Sequence, residues 1–215
     1  ARNVRWACSM GRSALFLDTG LGKTAQQLEW AHQVAAHTGH PVIVLAPLAV
    51  AQQTVREAAK FGISGVAYAR EQAEATSAIT VTNYERLGAF EPRRFGGVVL
   101  DEASILKSYV GATKRALVTA FERTPYRLAC SATPAPNDHV ELGNHSEFLG
   151  ILPAGDMLTR WFLSDTTAAN KLRLKRHAVD DFWDWVASWA VVASLPSDLG
   201  DYSDAGYVLP KLEVH

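Results

Sequence analysis

Unbroken apolar runs, Val42-Ile43-Val44-Leu45 and Val98-Val99-Leu100 among them, constrain this chain most. A strand with one wet face alternates apolar and polar side chains. A strand that is apolar at every position has to be covered on both faces. Such runs predict strands at 13–18, 41–46, 65–69, 78–82, 97–101 and 126–131. Helical patterns lie between them, at 24–37, closed by Thr38-Gly39, and at 49–61, closed by Gly62. Strand alternating with helix predicts an α/β layer fold: a mostly parallel β-sheet, helices on both faces and right-handed crossovers. Beyond Pro134 the pattern turns helical, with helices expected at 137–148, 155–163 and 178–194. Residues 195–215, broken by Pro196, Gly200, Gly206 and Pro210, read as a linker or an extended wrap.

With 48% hydrophobic and 20% charged residues among 215, a sizeable core can form. The net charge of −1 gives no support for tight, independent nucleic-acid binding through a broad basic face. Cys8 and Cys130 cannot build a disulfide framework and neither belongs to a CxxC pair, so a reducing, cytoplasmic setting is expected. No apolar run approaches the roughly 20 residues that span a bilayer, and no membrane association is expected. The opening Ala1-Arg2-Asn3-Val4-Arg5-Trp6 has neither an initiator Met nor a signal-peptide pattern, and it reads as the start of an excised fragment. Seven scattered histidines lack Cys or Asp partners at ligand spacing, so a zinc site is not expected.

Chemistry enters with Asp18-Thr19-Gly20-Leu21-Gly22-Lys23-Thr24, directly after the first predicted strand. Gly20 and Gly22 let the backbone curl so that successive N–H groups point at one anion. The helix that follows adds its positive N-terminal end. Lys23 can reach the β- and γ-phosphates of a nucleotide, and the Thr24 hydroxyl can ligate magnesium. The common pattern has a glycine six residues before the lysine; here Leu17 stands in that place. A glycine-rich turn with an incidental Lys-Thr is the bland alternative, and the strand before and helix after weigh against it.

A second strand ends in Asp101-Glu102. Asp101 can hold magnesium beside the phosphate loop, and Glu102 can activate the attacking water. Alone, an acidic pair opening a helix would be the better reading; with the phosphate loop upstream, the catalytic one is. Ser131-Ala132-Thr133 after the next strand can hydrogen-bond the acidic motif, although in isolation it is an ordinary strand exit.

Taken in order, DTGLGKT, LAPLAV, VTNYERL, DEAS and SATPAPND resemble motifs I, Ia, Ib, II and III of superfamily-two helicases, and among these the Swi/Snf-type ATPases, phage and bacterial helicase-like proteins in particular. The resemblance spans residues 15–137 motif by motif. It continues more loosely through Glu141-Leu142-Gly143, Phe148-Leu149-Gly150 and 196–200 to Leu209-Pro210-Lys211.

The resemblance implies a RecA-like P-loop NTPase lobe at 1–150, with a helical extension and linker at 151–215 leading to a second RecA-like lobe. It implies ATP and Mg2+ as cofactors and DNA, double-stranded, as partner. Phosphate binding would fall to Thr19, Gly20, Leu21, Gly22, Lys23 and Thr24, catalysis to Lys23, Asp101 and Glu102, metal binding to Thr24 and Asp101, and coupling to Ser131, Ala132 and Thr133. Pro47 and Gln52, with Thr82, Asn83 and Tyr84, would lie on the DNA-backbone track. DEAS departs from the better-known endings of motif II. The adenine-reading glutamine motif would fall at or before Ala1.

The expected function is therefore the first lobe of an ATP-driven nucleic-acid motor, inactive without its partner lobe. The alternative is a nucleotide-responsive DNA- or protein-binding module without turnover. A P-loop kinase would need an arginine-rich lid, which is not evident. Phe182, Trp185, Val186 and Trp189 follow three-and-four spacing and read as a buried stripe rather than a base-stacking platform. Lys171, Arg173, Lys175 and Arg176 read as a solvated edge strand or helix start rather than a phosphate-contacting patch.

Overall fold

The structure is a computed structural model that describes residues 2–107, 111–135, 138–164 and 172–207. Ala1, Asn137, Lys171 and the Leu209-Pro210-Lys211 segment lie outside the described residues. In chain order the first half runs α1 (Arg2–Met10), β1 (Arg12–Leu17), α2 (Lys23–Thr38), β2 (Val42–Ala46), α3 (Leu48–Lys60), β3 (Val66–Tyr68), β4 (Ile79–Asn83) and β5 (Gly97–Asp101). The second half runs α4 (Ala112–Phe121), β6 (Tyr126–Ser131), α5 (Leu142–Leu149), α6 (Ala154–Trp161), β7 (Phe162–Ser164), β8 (Leu172–Leu174), α7 (Val179–Ala187) and β9 (Ala190–Ala193).

Seven strands form one sheet in the order β3-β4-β2-β5-β6-β1-β9, and every pair in it is parallel. The apolar runs are explained by what covers them. In β1, Ala14 and Phe16 join one core cluster while Leu15 and Leu17 join the other. Ile43 and Leu45 alternate with Val42, Val44 and Ala46 in the same way. Val4 of α1, Trp30 and Val34 of α2 and Ala51 of α3 cover one face. Leu117 of α4, Phe148 of α5, Trp161 of α6 and Phe182 of α7 cover the other. Period-two side chains buried on both faces give the continuous hydrophobicity read in the sequence.

Arg127 closes the end of the sheet remote from the phosphate loop. Its guanidinium is buried and donates to the carbonyls of Thr124 (3.0 Å), Phe148 (2.7 Å) and Glu122. Burial, followed by the nearby Arg12 charge, pulls its pKa down to about 10.

One expectation is corrected. The helix predicted at 178–194 stops at Ala187, and Ala190–Ala193 forms the edge strand β9, paired with β1 through Ala14↔Ala190 to Leu17↔Ala193. The three-and-four spacing is real as far as Val186. After it, β-branched Val191 and Val192 favour an extended chain, and the open edge of β1 supplies the partner. Trp189 is buried between the two elements, with its ring edge-on to Phe16 and Trp185. The stripe is core, as read, although only part of it is helical.

The basic segment divides. Arg173 is exposed on the two-stranded ribbon β7–β8, whereas Lys175 Nζ donates to the carbonyls of Thr159 and Arg160 at the end of α6. Among the described residues no helix is long and apolar enough to cross a membrane.

Candidate active site

The functional side chains gather where β1, β5 and β6 end, at their C-terminal tips. This is the position at which open parallel sheets bind ligands. Between β1 and α2 the loop turns through two left-handed glycines, Gly20 at φ 86° and Gly22 at φ 70°. A side chain at either position would strain the turn, in which the Thr19 and Leu21 N–H groups donate to Asp18. Lys23 opens α2, and its Nζ donates to the Leu17 carbonyl at 3.2 Å. The ammonium thus spans the mouth of the loop, held by the backbone of the residue that replaces the usual first glycine. Thr24 follows on the first turn of α2, half-buried; Thr19 is exposed and Leu21 is anchored in the core.

Asp101 ends β5 with only 7% of its surface exposed. Burial raises its pKa, an effect opposed by the neighbouring Gln27 amide and by the Lys23 charge. The shielded Asp101 carboxylate and the Thr24 hydroxyl on the first turn of α2 are hard oxygen ligands of the kind magnesium favours. Glu102 alone among the described non-glycine residues has a positive φ, 56°. That backbone costs about 1–2 kcal/mol. It turns the chain sharply after β5, and Ser131 Oγ at the tip of β6 donates to Glu102 Oε1 at 2.8 Å. The Thr133 N–H donates to the same Ser131 Oγ at 3.0 Å. Lys23, Asp101, Glu102 and Ser131 thus form one group, while Ala132 and exposed Thr133 lie on the loop leaving it.

The expected nucleic-acid residues divide in two. Pro47 is half-buried and Gln52 is exposed, both accessible at the start of α3. Thr82, Asn83 and Tyr84 are buried, at 0%, 4% and 8% exposure. Tyr84 Oη donates to the Asp101 carbonyl at 2.7 Å and so braces the acidic motif from behind. Burial, together with the Asp101 charge, raises its phenol pKa well above the usual value. Their side chains are covered in this lobe, with α3 packed against β4, so little of the three residues is presented at its surface.

Three residues were missed by the sequence reading. Gln27, on α2, is fully buried against Asp101. Tyr207 folds back onto the phosphate loop, its Oη donating to the Gly20 carbonyl at 3.1 Å. His145, on α5, is buried with Nε2 2.9 Å from the Pro134 carbonyl and its ring edge-on to Phe16 at 5.1 Å. A histidine within Glu141-Leu142-Gly143…Phe148-Leu149-Gly150, where the motif pattern continues, was the available signal.

Burial holds the His145 pKa down at about 4, so the ring is neutral in the folded protein and its Nε2–H donates to Pro134. In the unfolded chain the ring protonates near pH 6.5. The unfolded state therefore binds more protons between these values, and stability falls as pH drops through this window. From pH 7 to pH 5 the loss from this group is about 2 kcal/mol. His145→Gln is expected to flatten the thermal-midpoint curve over that range; an unchanged slope would assign the acid sensitivity elsewhere.

Fold and site together define a P-loop nucleotide-binding lobe of RecA type. The family profile described as DEAD/DEAH box helicase matches residues 9–142, and the chain belongs to that family. It is similar in fold to the SWI2/SNF2 ATPase core of Sulfolobus solfataricus in complex with dsDNA, with a TM-score of 0.72 and 20% identity over 90% of this chain and 43% of that one. It is also similar to the UvsW helicase of bacteriophage T4 (TM-score 0.55, 12% identity, 70% of this chain and 57% of that one). The Hef helicase domain of Pyrococcus furiosus gives a TM-score of 0.55 at 18% identity, over 69% of this chain and 36% of that one. The chain thus spans less than half the length of the SWI2/SNF2 core. No curated protein matches it.

Proposed function

We propose that this chain is the ATP-binding lobe of a DNA-dependent motor ATPase, acting with a second RecA-like lobe to couple hydrolysis to translocation on double-stranded DNA. The observation that carries the reading is the convergence of Lys23, Asp101, Glu102 and Ser131 on the mouth of a two-glycine phosphate loop. In this mechanism the loop N–H groups and the α2 N-terminus hold the phosphates, and Lys23 leaves the Leu17 carbonyl to bind the β- and γ-oxygens. Thr24 and Asp101 would hold magnesium, which would offset the negative charge of the phosphates. Glu102 orients and deprotonates the attacking water. Ser131, already bonded to Glu102, passes the nucleotide state to the loop at Ala132 and Thr133. Pro47 and Gln52 offer the lobe's contacts to the DNA backbone, which need no strongly basic face. The fold shared with helicase and SWI2/SNF2 ATPase cores supports a motor of this kind.

Lys23→Ala is expected to weaken ATP binding at least tenfold, by calorimetry or a fluorescent nucleotide, with an unchanged circular-dichroism spectrum. The lysine is solvent-accessible enough to be lost without disturbing the core. Unaltered affinity would remove the phosphate loop from the reading.

A further inference from the structure

Gln27 lies one helical turn after Lys23, on the face of α2 that meets the sheet. Its side chain is fully buried, and the neighbouring buried α2 residues are Leu28, Trp30 and Ala31. Neither Nε2 nor Oε1 completes a hydrogen bond of normal geometry. Burying an amide in this state is unfavourable, and an apolar side chain of similar volume would fill the same space without the penalty. α2 packs along β5, with Val34 against Gly97 at the start of the strand, so Gln27, two turns earlier, stands at the strand's far end beside the Asp101 carboxyl. Side chains that hydrogen-bond a metal-binding carboxylate set its orientation.

We propose that Gln27 is a positioning residue for Asp101: its Nε2 amide donates to the carboxylate when magnesium and nucleotide bind, and so holds Asp101 toward the metal. The proposal rests on the phosphate-loop reading given above. Gln27 couples the first helix of that loop to the tip of β5, so the two halves of the metal site move as a unit. Its second amide proton and Oε1 remain within the buried layer and take no part.

Gln27→Met tests this, because it keeps the volume and removes both the donor and the acceptor. The readout is binding of a fluorescent ATP analogue by the chain, titrated with magnesium and repeated in EDTA. Affinity in EDTA is expected to stay within twofold of wild type. The magnesium concentration for half-maximal tightening is expected to rise 10–100-fold, the range for losing a partner that orients a metal ligand. A wild-type magnesium midpoint in a variant that melts no lower than wild type overturns the role. Should Gln27→Met not fold, Gln27→Asn is read in the same way: its amide stops one methylene short, and a wild-type midpoint again overturns the proposal. Lys23→Ala in the same assay keeps the two readings apart. If it abolishes binding while Gln27→Met leaves the magnesium midpoint unmoved, only the role of Gln27 is lost. If it leaves binding intact, the site itself has been misread.

Discussion

Glu102→Gln, in a protein carrying both RecA-like lobes, is expected to keep its ATP affinity and lose about 10²–10⁴-fold in hydrolysis, the usual contribution of a general base. The geometry makes the variant clean. A glutamine has the same shape, and its Oε1 can still accept from Ser131 Oγ, so the 2.8 Å link and the loop behind it survive. The left-handed backbone at 102 is no worse for Gln than for Glu. The variant loses the negative charge and the ability to take a proton from water. Steady-state phosphate release beside equilibrium nucleotide binding separates the two effects. Turnover at the wild-type rate would remove Glu102 from the chemistry and leave Ser131 bonded to a merely structural carboxylate.

Legibility in the sequence followed the range of the physics. The phosphate loop was readable because it is local: strand, two glycines, lysine and helix are contiguous, and Gly20 and Gly22 adopt the left-handed turns their type suggests. The both-faces-covered sheet was readable because period-two burial leaves its mark on each strand separately. β9 was not, since Ala190–Ala193 follows a helix in continuous apolar sequence, and only the free edge of β1 decides between helix and strand there. The burial of Thr82, Asn83 and Tyr84 was not legible either, since motif order carries no information about what packs above a residue. Gln27 and His145 escaped notice because a buried polar residue gains meaning only from its partner. Those partners, Asp101 and Pro134, come from other elements of the chain.

The 215-residue chain by itself is expected to bind ATP weakly and to hydrolyse it at a rate about 10³–10⁵-fold below that of a two-lobe protein at saturating DNA. That factor is the worth of an arginine placed where the phosphoryl group gains negative charge in the transition state. Among the described residues the site holds little positive charge of its own: Lys23 is the cation that acts on Asp101. Two arginines are engaged elsewhere. Arg127 is buried against three backbone carbonyls, and Arg160 stacks on the Trp161 ring at 4.5 Å with Asp181 beyond it. Arg173 lies exposed on the β7–β8 ribbon. A lone lobe also leaves the nucleotide open to water on the side away from the loop, where every charge interaction is screened. With Pro47 and Gln52 as its proposed DNA contacts the lobe would offer only a partial track, so adding DNA to the isolated chain should raise its rate little. Phosphate release measured for both proteins, with and without DNA, decides between the alternatives. Equal DNA-stimulated rates would show that this lobe completes its own active site and that the charge it needs comes from within these 215 residues.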